Sequence, residues 1–457
     1  MVSRQTAAHL PVAPSLGRLL RGDPRLLARA LARLDEVQIA AQLDNLDSGD
    51  QRLVMQLLSV ERRPDVLEAM RYESAAELIR ALAPEDAATL LDELDSDDAA
   101  DILQRLDPDS IKAIVSRLDP ADVGELEELL THEPNTAGGI MSPDFVAIHD
   151  NVSVAEVVRF LQKEAEDLPE DVFDVYVLDV SERLVGAISL RALVISAPDV
   201  PVREVMDKEV LAVEAETDQE VVADLASRYD LVTVPVIDRQ QRMLGVVTID
   251  DIVDVLREEA TEDILKMAGA GEMLADTRYF AQSLRTRLPW LMGAAVGGLL
   301  VAISLSGFEA SVAAVPALAA FMPIVAGMGG NIGTQSSTII VRGLAVGYVE
   351  RSAIGKLVVR EVMLALVVGL LSGAMVSLIA PLAGIDASDP LRLGLVVTGG
   401  LMGSMAIAAT VGTLMPLALE AANVDPAVAT GPFVTTAVDI LGLLFYFALA
   451  TWLMGLG

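Results

Sequence analysis

Residues 323–337 read PIVAGMGGNIGTQSS and interrupt a stretch otherwise apolar enough for lipid. Glycine costs a helix about 1 kcal/mol relative to alanine, and each unsatisfied polar group in hydrocarbon costs several kcal/mol. A segment with four glycines, an Asn, a Gln and two serines therefore cannot simply face acyl chains; it must line something.

The composition around it is divided. The chain has 457 residues, 53% hydrophobic, and a formal net charge of −33. Its mean hydropathy is nevertheless +0.47. From Arg287 onward eight acids meet six bases, so −2 of the charge lies there and −31 in residues 1–286. The front is acidic and soluble in character; the back is membrane. With no cysteines there is neither a disulfide framework nor a thiolate metal site, and the histidines, His9, His132 and His149, all lie in the front part. The first residues lack an apolar core of signal-peptide length, which predicts a cytoplasmic front part.

From Pro84 the sequence repeats every 12 residues as PEDAATLLDELD, SDDAADILQRLD, PDSIKAIVSRLD and PADVGELEELLT. Each unit opens with Pro or Ser, follows with acids suited to a helix N-terminus, and spaces its apolar residues helically. Units this short cannot bury an apolar face alone, so they stack into a superhelix. The expected organisation is an N-terminal arm (1–24), an acidic helical superhelix (25–131), a duplicated α/β region (132–254), an acidic connecting helix and linker (255–286), and a membrane domain (287–457).

In the duplicated region, IMSPDFVAIHDNVSVAEVVRFL (140–161) with VYVLDVSERLVGAISLRALV (175–194) is echoed by VMDKEVLAVEAETDQEVVADLA (205–226) with VTVPVIDRQQRMLGVVTIDDIV (232–253). The pattern resembles a tandem pair of CBS domains. That resemblance implies an adenine-nucleotide site, such as one for ATP, at Gly245, Thr248 and Asp251; in the first half Gly186 and Ser189 match, but Ala192 replaces the acid. TIDDIVDVLREEATEDILKMAGA (248–270) reads as one long acidic helix.

Five spans follow, near 288–306, 312–342, 357–382, 393–420 and 428–455, each long enough for the hydrocarbon core. Arg342, Arg351, Lys356 and Arg360 against Glu350 and Glu361 mark one loop as inside, whereas the loop with Asp386, Asp389 and Arg392 reads as outside. This orientation puts the C-terminus outside a plasma (inner) membrane.

No catalytic constellation is present, and the glycines of 327–333 follow no strand, so transport is expected rather than catalysis. Asp439 is the single ionisable residue of the last span. A central carboxylate costs about 2.5–3.5 kcal/mol on insertion scales and faces a cavity or a partner. It lies 14 residues after Asp425, which as continuous helix is about 21 Å of rise.

Pro323, Gly327, Gly329, Gly330, Asn331, Gly333 and Gln335 spell P-x-x-x-G-x-G-G-N-x-G-x-Q, which resembles the signature of the MgtE family of magnesium channels. The order of domains resembles that family too: an all-α superhelical N-terminal domain, an α/β tandem CBS domain and an α-helical five-span transmembrane domain. The resemblance implies a Mg2+ channel built as a homodimer in the lipid membrane, with no nucleic-acid partner. Asp439 on the axis would hold the hydrated ion, helped by the signature residues and Gly442. It also implies closure by intracellular Mg2+ bridging regulatory acids, for which Asp97, Asp101, Asp251, Asp254, Glu259, Glu262, Asp263 and Asp425 are the candidates. The glycines are expected to let helices approach closely or to break the helix and expose carbonyls. Two other readings are a non-conducting membrane-anchored CBS sensor and a carrier of another divalent cation, Mn2+ or Co2+.

Overall fold

The computed structural model describes residues 16–20, 24–119, 123–165, 168, 172–269, 280–345, 354–383 and 389–455. The arm before Leu16, the linker residues 270–279, and Glu350, Arg351 and Asp386 of the topology argument lie outside the described residues. The chain forms two compact units, Met1–Leu256 and Arg257–Gly457.

The first unit opens with short helices: α1 (Leu16–Leu20), α2 (Pro24–Leu31), α3 (Glu36–Leu43), α4 (Ser48–Leu57), α5 (Arg63–Glu68), α6 (Tyr72–Ala81), α7 (Pro84–Leu91), α8 (Ser96–Gln104), α9 (Pro108–Val115) and α10 (Val123–Leu129). The 12-residue repeat is visible as α7 to α10. Aspartates at the N-caps explain why the chain restarts so often: Asp35, Asp47 and Asp107 each accept a backbone N–H from the first turn of the helix that follows. Apolar faces such as Ile79, Leu91 and Leu103 meet in one core.

Two three-stranded sheets carry the duplication. In the first half, β1 (Ala147–His149) runs parallel to β2 (Asp174–Leu178), which pairs antiparallel with β3 (Leu184–Ser189), with Val175 opposite Ile188. The helices of this half are α11 (Val154–Lys163), α12 (Leu190–Ile195) and α13 (Val202–Val205). The second half repeats the order with β4 (Val213–Glu214), α14 (Gln219–Tyr229), β5 (Thr233–Ile237) and β6 (Met243–Thr248), placing Val234 opposite Val247. The halves interlock. Ser142, before β1, bridges to Val246 on β6, and Asp207, before β4, bridges to Ala187 on β3. Gly245 is required there, since a Cβ on it would lie 2.5 Å from the Ser142 carbonyl oxygen. The helical superhelix shares its core with the second half through Val222, Val234 and Val236, while the first half keeps its own around Val175, Val177 and Ile188.

Helix α15 (Ile249–Met267) is the acidic connecting helix, beginning directly after β6 and lying within the 248–270 stretch that reads as one long acidic helix. Beyond it come α16 (Phe280–Leu305), α17 (Glu309–Ala314), α18 (Ala317–Ala345), α19 (Ile354–Ile379), α20 (Pro390–Ala421) and α21 (Pro432–Met454). Among the described residues, five helices are long and apolar enough to cross a membrane: Arg287–Ala314, Ala317–Ala345, Ile354–Leu382, Pro390–Ala421 and Phe433–Met454. Two differ from the sequence reading. The α-helix of the first pauses at a 3-10 turn over Ser306–Phe308, near the expected end at 306. The span nevertheless runs on to Ala314 and separates from the second at Val315–Pro316, because proline cannot donate to the ladder and disfavours helix at the residue before it. The last begins at Pro432, after a 3-10 turn over Pro426–Thr430. Helix α20 is central and packs against α18, α19 and α21.

Candidate functional site

The signature lies wholly within α18, and α18 is a continuous helix from Ala317 to Ala345. The expectation that its glycines break the helix is not met. They serve close approach instead. Gly329, Gly330 and Gly333 are buried, and a Cβ on them would press on Val438, Thr435 and Val434 of α21 at 3.0–3.4 Å. Backbone meets backbone at this crossing, where a Cβ on Gly412 of α20 would sit 2.3 Å from the Gly333 carbonyl oxygen. Gly442 touches the Ser404 hydroxyl on α20 in the same manner. Small residues at a helix crossing let van der Waals contact substitute for the missing hydrophobic drive in lipid.

The other signature residues take a different face. Pro323, Gly327, Asn331 and Gln335 recur every four positions and are exposed on the single chain. The signature is thus two stripes on one helix, a small-residue stripe that packs inward and a polar stripe that does not.

Asp439 follows Val438, the residue that α18 packs against. It is half-buried and makes no ion pair or hydrogen bond with the described residues. Its depth differs from the continuous-helix reading. Because α21 starts at Pro432, Asp439 is seven residues into the helix, about 10 Å along it rather than about 21 Å.

A second grouping lies in the first unit. Asp95, Asp97 and Asp98 can present carboxylate oxygens all within 4.8 Å of one another. Asp95 is the N-cap of α8, yet unlike Asp35, Asp47 and Asp107 it gives no side-chain capping bond. One oxygen of Asp97 is buried without a hydrogen-bond partner. Tyr72 donates its hydroxyl to Asp98 at 3.1 Å. Burial, then the neighbouring carboxylates, push the Asp98 carboxyl up to about 8; burial, with Asp95 beside it, lifts Asp97 to about 6. Asp251 at the start of α15 belongs to the same field. Burial and then Asp97 and Asp250 raise its carboxyl well above the ordinary range, although it accepts the Thr248 hydroxyl at 2.9 Å. Several carboxylates held together with an unpartnered oxygen are the donor set of a hard divalent cation.

Of the acids singled out in the sequence, Asp97, Asp101 and Asp251 thus fall in one field, Asp101 also lying 3.7 Å from Arg105 on the next turn. Asp254 is exposed and Glu259 partly so. Glu262, Asp263 and Asp425 gather in the second unit around a base the sequence reading passed over. Lys266 pairs with Glu262 and reaches Asp425 Oδ2 at 2.6 Å. Also missed were Asp95 and Asp98, signalled by three acids in four residues at a helix start, and Glu361, a buried carboxylate on α19 that had been counted among loop charges. Thr248 ends β6 and bonds Asp251, while Gly245 lies within β6 against the Ser142 backbone.

Comparison with known proteins agrees with this architecture. A family model described as a divalent cation transporter, MgtE, matches residues 322–449, the MgtE intracellular N domain matches 34–135, and the CBS domain matches 137–197 and 202–258. The magnesium transporter MgtE of Enterococcus faecalis is 36% identical over 334 residues, covering 73% of this chain and 72% of that one. That of Thermus thermophilus is 37% identical over 333 residues, 72% of each. A crystal structure of the cytosolic domain of the Mg2+ channel MgtE in complex with ATP shares 37% identity over 53% of this chain and all of that one, with a TM-score of 0.48. On its identity to these transporters over nearly three quarters of its length, the chain belongs to the MgtE family of magnesium transporters.

Proposed function

We propose that the chain conducts Mg2+ through a path between two copies of itself, with Asp439 as the ion-binding carboxylate. The observation that carries this is an unpartnered half-buried carboxylate on α21 together with an exposed polar stripe on α18, the helix whose glycine stripe packs against α21. Asn331 and Gln335 amides facing hydrocarbon would cost several kcal/mol each, so a second copy bringing the same stripe makes a wet, oxygen-lined path. Mg2+ dehydrates reluctantly and is held by one or two carboxylates with water retained, which suits one Asp from each copy and amides that bond the water shell.

Mg2+ bound inside the cell closes this path. In the first unit the acids around Asp97, Asp98 and Asp251 repel when metal-free and are drawn together by the ion; in the second, Glu262, Asp263 and Asp425 add oxygens for the ion beside the Lys266 pair. The CBS pair takes ATP through Gly245, Thr248 and Asp251. The chain works in the plasma (inner) membrane with its first unit cytoplasmic and its C-terminus outside, and carries out no catalysis. Purified protein in liposomes loaded with a Mg2+-sensitive dye tests the core of this. Wild type should give Mg2+ influx and Asp439→Ala none at equal incorporation; influx through Asp439→Ala at the wild-type rate refutes the assignment.

A further inference from the structure

The junction around Lys266 differs from an all-acid metal site in one respect: it already contains a cation. Lys266 is only 13% exposed at its side chain, bonds Asp425 Oδ2 at 2.6 Å and pairs with Glu262 one turn before it. Burial alone would depress its ammonium, but the hydrogen bonds it donates to Asp425 and Glu262 more than reverse this and raise it above the ordinary lysine range. The other oxygen of Asp425 accepts the Ala427 N–H at 2.7 Å, so the same carboxylate that holds Lys266 also caps the 3-10 turn leading into α21. A second contact lies beside it. Gly431, the N-cap of α21, is so near the end of α15 that a Cβ on it would lie 3.7 Å from the Lys266 carbonyl oxygen and the Gly269 nitrogen. The end of α15 therefore meets the start of the helix that carries Asp439 through an ion pair and a backbone contact together.

The charge balance says what the ammonium does. Glu262, Asp263 and Asp425 bring three carboxylates, Lys266 brings one charge, and Arg342 acts on Asp263 without a direct bond. Asp263 is left with its carboxyl raised by burial and by Asp425. Removing one partner of a mostly buried pair leaves an uncompensated charge, which is far more costly than losing a surface pair.

We propose that Lys266 is a tethered cation that fastens the end of α15 to the entrance of α21 in the absence of metal, so that divalent ions tune this junction rather than create it. The proposal deepens the gating reading and rests on it for any consequence on flux. A lysine cannot be chelated away, is always present at one copy per junction, and competes with Mg2+ for the same oxygens.

The test is amide hydrogen exchange of residues 257–268 in the full chain reconstituted in lipid nanodiscs, with EDTA and then with Mg2+, alongside liposome flux. In EDTA, Lys266→Gln should exchange roughly tenfold faster than wild type over this segment while Lys266→Arg stays close to wild type, and Mg2+ should slow Lys266→Gln again. Equal exchange of wild type and Lys266→Gln in EDTA overturns the proposal, as does Lys266→Arg exchanging as fast as Lys266→Gln. The two readings fail separately. If Mg2+ alters neither flux nor exchange in wild type but Lys266→Gln loosens the segment, the tether stands and metal gating falls; if Mg2+ closes the channel while Lys266→Gln leaves exchange unchanged, the reverse holds.

Discussion

Ser336 on α18 donates its hydroxyl to Glu361 on α19 across 3.1 Å, a bond buried among otherwise apolar helices. Glu361 is 5% exposed and receives a second bond from Arg360 at 3.1 Å, the arginine itself remaining accessible. A carboxylate so enclosed is tolerated only with its oxygens occupied. Glu361→Gln keeps an acceptor for Ser336 and should fold and insert. Glu361→Ala leaves the Ser336 hydroxyl unpaired and should destabilise the protein by about 1–3 kcal/mol. Thermal unfolding in detergent separates the two, and equal midpoints would remove the bond from any structural role.

The two stripes of α18 predict opposite outcomes for two glycines. Gly412→Ala places a methyl group 2.3 Å from the Gly333 carbonyl, against backbone that cannot step aside, so it should reduce folded protein in the membrane. A Cβ on Gly327 meets nothing within 4 Å in its own chain and the position is exposed, so Gly327→Leu should leave the fold of one copy intact. If a second copy covers that stripe, Gly327→Leu should instead shift dimer to monomer by light scattering in detergent and lower Mg2+ flux. An unchanged dimer with unchanged flux would place the partner surface elsewhere.

These contrasts show what the sequence could carry. The 12-residue repeat from Pro84, the duplicated strand pattern and the five apolar runs are local periodicities, and they appear as α7 to α10, as two sheets of one order, and as α16 to α21. The span boundaries near Pro316 and Pro432 were obscured because apolar composition continues across them, whereas the backbone is interrupted by proline geometry. Long-range partners were illegible. Lys266 and Asp425 lie 159 residues apart, and nothing in either segment announces the other. Glu361 read as a loop charge because it follows Arg360, and only the helix packing shows that one of the pair turns inward.

The nucleotide reading is tested at Thr248. Its hydroxyl is committed to Asp251 at 2.9 Å, so Thr248→Val frees a carboxylate that already sits among Asp97 and Asp250. If ATP engages Thr248 and Asp251, isothermal titration should show affinity lowered by roughly tenfold in Thr248→Val, the loss of about one to two hydrogen bonds. Wild-type affinity in that variant would move the nucleotide to other residues of the pair.

The acid field of the first unit yields the last prediction, and its sign follows from the shifted carboxyls. Asp97 is lifted to about 6 and Asp98 to about 8, while an unfolded carboxyl titrates at about 4. The folded state thus holds protons that the unfolded chain releases. The stability contributed by these groups is fully present below about pH 4 and is lost as pH rises through about 6 and then about 8. Mg2+ binds only the ionised carboxylates, so it should restore more stability at the alkaline end, where it displaces few protons, than at the acid end. Full-length protein scanned in EDTA should therefore melt lower at about pH 8 than at about pH 5, and Mg2+ should raise the midpoint more at about pH 8. Asp97→Asn in the same scan should melt higher than wild type in EDTA at the alkaline end and lose most of the Mg2+ increment, because it removes a repelling charge and a metal oxygen at once. In liposomes the same variant should stay more open when Mg2+ is plentiful, since bridging needs that oxygen. Equal Mg2+ increments at both pH values, with Asp97→Asn responding as wild type does, would show that the metal acts elsewhere and that these aspartates are no part of the gate.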